Sequence, residues 1–196
     1  VSSKKHSKFR VFYIYSCMAI VHLIQKFLKR KLLENRLTKR EFSRQSGVPY
    51  NTLFQILHAL RSNTNLVTII KIANYFSCSI DEVVGRKKYI SKNNYNNIDI
   101  VLSNYNFKLR NFIVYKIKEQ NLNPYQLSKY LGFSETVIWQ FINDDKITRT
   151  LNSSVILALA DYFQVSIDEM IGRIKPTTAV NSSDKNSDRN TDLNNS

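Results

Sequence analysis

Apolar residues recur at helical spacing along residues 19–36, where Ile20, Leu23, Ile24, Phe27, Leu28, Leu32 and Leu33 form one stripe. The pattern predicts a first helix there. Thr38 follows as an N-cap with Glu41 three residues on, a capping box that opens a second helix ending near Ser46. Gly47 supplies a positive-φ turn, and Pro49 suits the first turn of a third helix reaching about His58. In that helix Leu53, Ile56, Leu57 and Leu60 are expected to be buried. A fourth helix is predicted over 65–76, and Ser79 caps a short fifth with Asp81 and Glu82 in its positively polarised first turn.

The same script is then written again. Phe42-Ser43-Arg44-Gln45-Ser46-Gly47-Val48 and Leu127-Ser128-Lys129-Tyr130-Leu131-Gly132-Phe133 lie 85 residues apart. Ala73-Asn74-Tyr75-Phe76 with Ser79-Ile80-Asp81-Glu82 and Gly85-Arg86 recurs 87 residues later, as Ala160-Asp161-Tyr162-Phe163 with Ser166-Ile167-Asp168-Glu169 and Gly172-Arg173. A five-helix unit repeated in one chain is the simplest explanation. In the second unit a helix is expected over 106–121, Asn123-Pro124 opens the next, Gly132 turns, Ser134 caps the third, Asn152 or Ser153 starts the fourth, and Ser166 caps the fifth. The predicted organisation is an undefined lead-in (1–18), a first domain (19–88), an Asn-rich linker (89–104), a second domain (105–174) and a tail (175–196) too polar to order itself. Ile98, Ile100, Val101 and Leu102 are the apolar strip of the linker.

Charge changes the picture from fold to partner. The chain carries a formal +14, which points to a polyanion, nucleic acid first and an anionic membrane surface second. Residues 26–88 hold thirteen Lys/Arg against four Asp/Glu, whereas residues 105–173 hold eight against seven. One half is strongly basic and the other nearly neutral. The apolar stretch 11–24 follows Lys4, Lys5, Lys8 and Arg10, but it has no small-residue cleavage site and is too short to span a bilayer. Val1 and Met18 are both compatible starts, and Met18 is favoured. Cys17 and Cys78 lack metal-ligand spacing, and His6, His22 and His58 are scattered. No catalytic residues, metal, cofactor or small-molecule ligand are expected, and the chain does not read as an enzyme.

The run from Leu32 to Leu53, which contains Arg36-Leu37-Thr38-Lys39-Arg40-Glu41-Phe42-Ser43-Arg44-Gln45-Ser46-Gly47-Val48-Pro49-Tyr50-Asn51-Thr52, resembles the lambda-repressor-like (phage-repressor, XRE-type) helix-turn-helix regulators. The resemblance implies an all-α fold of two tandem five-helix DNA-binding domains, each with helix 3 in the major groove and helix 2 across the backbone. It departs from the family pattern after helix 3, at Leu57-His58-Ala59 and Ile142-Asn143-Asp144, and in placing Phe54 and Trp139 where a small or polar residue is usual.

Carried over position by position, the resemblance makes Tyr50, Asn51 and Gln55 base-reading candidates. Asn and Gln each offer the donor and acceptor that adenine presents in the major groove. Lys39, Arg40, Arg44, Thr52 and Arg61 become backbone candidates, with Lys29, Arg30, Lys31 and Arg36 as further phosphate contacts. The second unit offers Glu135, Thr136 and Gln140, with Asp144 and Asp145 close behind, and so reads as the weaker binder. Phe54 and Trp139 are candidate interface residues. The expected partner is double-stranded DNA in the bacterial cytoplasm, at the nucleoid, with pairing between chains or between repeats. The rival reading is a helix-turn-helix fold used to bind protein, as an antirepressor or antitoxin would.

Overall fold

The structure is a computed structural model that describes residues 20–60, 63–90, 95, 102, 104–146 and 148–174. Among them every regular element is helical and no strand is present. The lead-in, Arg61, most of the linker and the tail lie outside the described residues.

The first five helices are α1 (residues 20–34), α2 (Lys39–Ser46), α3 (Tyr50–Leu57), α4 (Leu66–Tyr75) and α5 (Ile80–Val83). α1 buries Val21, Ile24, Phe27, Leu28 and Leu32. Leu33, expected on the same stripe, is 81% exposed. It sits about 100° round the helix from Leu32, past the edge of the buried face. The capping box forms as expected: the Glu41 amide donates to Thr38 Oγ1 at 3.2 Å and the Thr38 amide to Glu41 Oε2 at 2.9 Å. Asn65 and Ser79 cap α4 and α5 through their side chains.

The last five are α6 (Tyr105–Glu119), α7 (Pro124–Tyr130), α8 (Val137–Ile142), α9 (Ser153–Tyr162) and α10 (Ile167–Met170). Asn123, Asn152 and Ser166 cap α7, α9 and α10. The left-handed backbone positions recur as well. Arg36 and Gly47 are matched by Asn121 and Gly132, 85 residues on, and Ser77 and Gly85 by Gln164 and Gly172, 87 on. The hydrogen bonds that close these helix ends correspond, Leu37 amide to Leu32 carbonyl and Leu122 amide to Ile117 carbonyl, both 2.9 Å.

Leu23, also expected on the α1 stripe, is 40% exposed, and two further expectations fail locally. Leu60 is 67% exposed rather than buried, because Ala59 takes φ 52° and turns the chain away from the α3 axis. Ser134 does not cap α8 through its side chain. Its carbonyl instead accepts the Val137 amide, and Thr136, at φ −89° and ψ −8°, precedes a helix of only six residues with no side-chain cap. α8 therefore lacks the first turn that α3 has.

The two sets share one continuous apolar core, joined where α5 packs on α10. The join is reciprocal. Asp81 Oδ2 accepts the Ile167 amide at 2.9 Å, and Asp168 Oδ2 accepts the Ile80 amide at the same distance. Arg86 pairs with Asp81 and donates to the Val165 carbonyl at 3.1 Å; Arg173 pairs with Asp168 at 2.6 Å and donates to the Cys78 carbonyl at 3.1 Å. Arg86 and Tyr89 also reach Asp161 and Gln164, so the stretch expected to begin a linker is partly docked. Leu102 packs against the core.

Candidate nucleic-acid interface

α2 and α3 are fixed to each other before any partner arrives. Phe42 is fully buried between Tyr75 and Phe76 of the α4 end. Gly47 turns at φ 67°, a conformation in which a side chain would be strained, and its carbonyl accepts Lys71 Nζ at 2.8 Å. Ser43 Oγ donates to the Val48 carbonyl at 2.7 Å, and Val48 is buried. α3 then anchors itself through Leu53, Ile56 and Leu57. Its opposite face is committed to solvent.

That face carries the expected readers. Tyr50 and Asn51 are exposed at the helix start, and Thr52 is half-buried beside them. Pro49 occupies the N-cap position and provides no side-chain hydrogen bond, so no cap competes for the first amides of α3. Those amides and the helix dipole favour an anion there. Gln55 is half-buried, and its Oε1 is shielded from solvent without a partner. Phe54 is 41% exposed and lies against the His58 ring at 4.3 Å.

Lys39, Arg40 and Arg44 are exposed on α2 and form no salt bridge with any described residue. An open groove of about 550 Å³ brings Lys29, Arg36, Lys39 and His58 round an apolar floor of Leu32, Leu37 and Leu57. Two of the expected phosphate contacts are already engaged: Arg30 with Glu34 and Glu82, and Lys31 with Glu34. Among these cations, the unengaged ones gather on α2 and the groove beside it.

The corresponding face of α7 and α8 is differently furnished. Glu135 is held by Lys129 at 2.9 Å, and Gln140 Oε1 accepts from Arg149 at 3.0 Å. Glu135 and Thr136 are exposed in the turn before α8, not on the helix. Asp144 is bonded to the Arg149 amide, which holds its carboxyl below the ordinary value. Trp139, 41% exposed, stacks on Tyr125 with centroids 5.8 Å apart. Its neighbour is thus a residue of the adjacent helix.

Asp81, expected only as a helix-dipole residue, and Arg86 and Arg173, which carry no expected role, form the α5–α10 join with Asp168. Both aspartates are buried, which pushes the Asp81 carboxyl up to about 7, against the lowering pull of Arg86, and raises Asp168 as well. The signal was present in the repeat itself, where the Asp and Arg recur at identical spacing. Burial likewise pushes the Cys78 thiol up to about 12, where it stays protonated.

Among the described residues no helix is long and apolar enough to cross a membrane. The helix-turn-helix family matches residues 28–83, wholly within α1–α5. An uncharacterized HTH-type transcriptional regulator of Rickettsia prowazekii is 35% identical over 73 residues, which cover 36% of this chain and 79% of that protein. One of Rickettsia conorii, also described as an uncharacterized HTH-type transcriptional regulator, is 35% identical over 73 residues, 36% of this chain and 67% of its own length. No solved structure matches the chain. With an all-helical body, an uncapped and exposed third helix, and relatives of this kind, the chain belongs to the helix-turn-helix family of transcriptional regulators.

Proposed function

We propose that the protein is a sequence-specific double-stranded DNA-binding regulator that represses by occupying a promoter. In this reading α3 enters the major groove, where Tyr50, Asn51 and Gln55 meet base edges, while Lys39, Arg40, Arg44 and Thr52 hold phosphates. The observation that carries it is the coincidence of an uncapped helix start, exposed Tyr50 and Asn51, and three unpaired cations on the preceding helix. α6–α10 are read as a second copy of the domain, supported by the recurring caps and left-handed positions. The bacterial nucleoid is the place such a protein would work.

Selection of bound sequences from a random duplex pool tests the reading. An enriched motif is expected, and Asn51→Ala should relax it at one base position, a loss of about 1–3 kcal/mol of discrimination. Recovery of unenriched sequences, or no retention of DNA at all, would refute it. The protein-binding alternative draws its support from the α7–α8 face, where Glu135 and Gln140 are internally engaged and the Tyr125–Trp139 pair is partly exposed. It predicts weak, salt-insensitive DNA binding by the whole chain.

A further inference from the structure

The contacts between α5 and α10 have a definite symmetry. Asp81 binds the amide of Ile167, and Asp168, 87 residues after Asp81, binds the amide of Ile80, 87 before Ile167. Arg86 reaches the Val165 carbonyl, and Arg173 reaches that of Cys78, the same 87-residue exchange. When residue i contacts j′ while j contacts i′, the relation is isologous, the mark of a two-fold axis; a head-to-tail stack would not exchange partners. The axis here runs through a single chain. Both aspartates and Arg173 are buried and each carboxylate has a guanidinium partner, so the join is a specific, desolvated lock rather than a loose tether.

Two helix-turn-helix units related by a dyad present their reading helices in opposite senses, and such a pair matches an inverted repeat in DNA. The two faces are unequal. α3 is uncapped and flanked by free cations, whereas α8 is short, with Glu135 and Gln140 held by Lys129 and Arg149.

We infer that one chain acts as a preassembled two-fold pair and binds, alone and in one orientation, a DNA site made of two inverted but unequal half-sites. This rests on the DNA-binding reading above. Asp81 and Asp168 are its positioning residues: they touch no DNA and set the angle between the two readers.

The test uses the full chain and the motif from duplex selection. Duplexes are built with both half-sites inverted, with the weaker one reversed into a direct repeat, with it deleted, and with about 5 bp inserted between them, half a helical turn. Native mass spectrometry on the inverted duplex should give one chain per duplex. The inverted duplex should bind roughly 10²-fold tighter than the other three, the low end for linked modules. Asp81→Asn with Asp168→Asn should shrink that ratio toward one while leaving binding to the single half-site intact. If this variant does not fold, the four-duplex series with the unaltered protein decides by itself. Two chains per inverted duplex, or equal affinity for inverted and direct arrangements, would overturn the inference and leave the DNA-binding reading standing. No binding to any duplex would overturn both.

Discussion

α1–α5 and α6–α10 share the devices that close their helices and differ in what they show to solvent. Both close helix ends with left-handed residues at matching positions, both cap the fifth helix with a serine, and both send an aspartate across to the other's fifth helix. Yet the α2–α3 face leaves Lys39, Arg40 and Arg44 exposed, and the α7–α8 face ties Lys129 to Glu135 and Arg149 to Gln140. Caps and core positions are constrained by burial and backbone geometry; exposed charges are not. The difference between the halves lies in which exposed charges are paired within the chain.

The largest expected effect tests whether the halves lean equally on the lock. Arg173→Ala strands a buried Asp168 and should cost about 3–5 kcal/mol in chemical denaturation. Arg86→Ala should cost less, because the Arg86 side chain keeps 10% of its surface in water and part of its pairing goes to the exposed Asp161. Equal losses would mean the two guanidinium pairs are energetically interchangeable.

Next comes pH. Asp81 holds its proton up to about 7 in the folded protein, against 3.8 ordinarily, so between those values the native state binds more protons than the unfolded chain. The resulting stabilisation is full below 3.8 and is lost as pH rises through about 7. Relative to Asp81→Asn, the unaltered protein should lose stability as pH rises from 3.8 to about 7. A parallel pair of curves would show that Asp81 titrates normally.

A smaller contrast lies in readout. Asn51→Ala should cost about 1–3 kcal/mol of discrimination at one base position. Gln140→Ala should change specificity much less, since Arg149 already occupies that amide oxygen. Smallest of all, Trp139→Phe should leave affinity for DNA within about twofold, because the ring stacks on Tyr125 of its own half.

Much of this scaffold is legible in sequence because its determinants are local. Thr38 with Glu41, Asn123 with Pro124, and Gly47 each specify a cap or turn within a few residues of themselves. Leu60 and Ser134 mislead for the same reason: a left-handed Ala59 and an αR Thr136 redirect the chain where the residue type gives no warning. The partners of Glu135 and Gln140 depend on where long side chains meet across turns. Farthest from reach was the role of Asp81 and Asp168, since which amide each one accepts is decided by an element more than eighty residues away.

The proposed unequal division of DNA binding is tested most directly by salt dependence in the full chain. Lys39, Arg40 and Arg44 replaced together by Gln should lower the slope of log affinity against log salt by roughly three, near one per phosphate contact. Lys129, Lys146 and Arg149 replaced together by Gln should lower that slope by much less, about one. Equal reductions from the two triple variants would contradict the account and make both halves full holders of DNA.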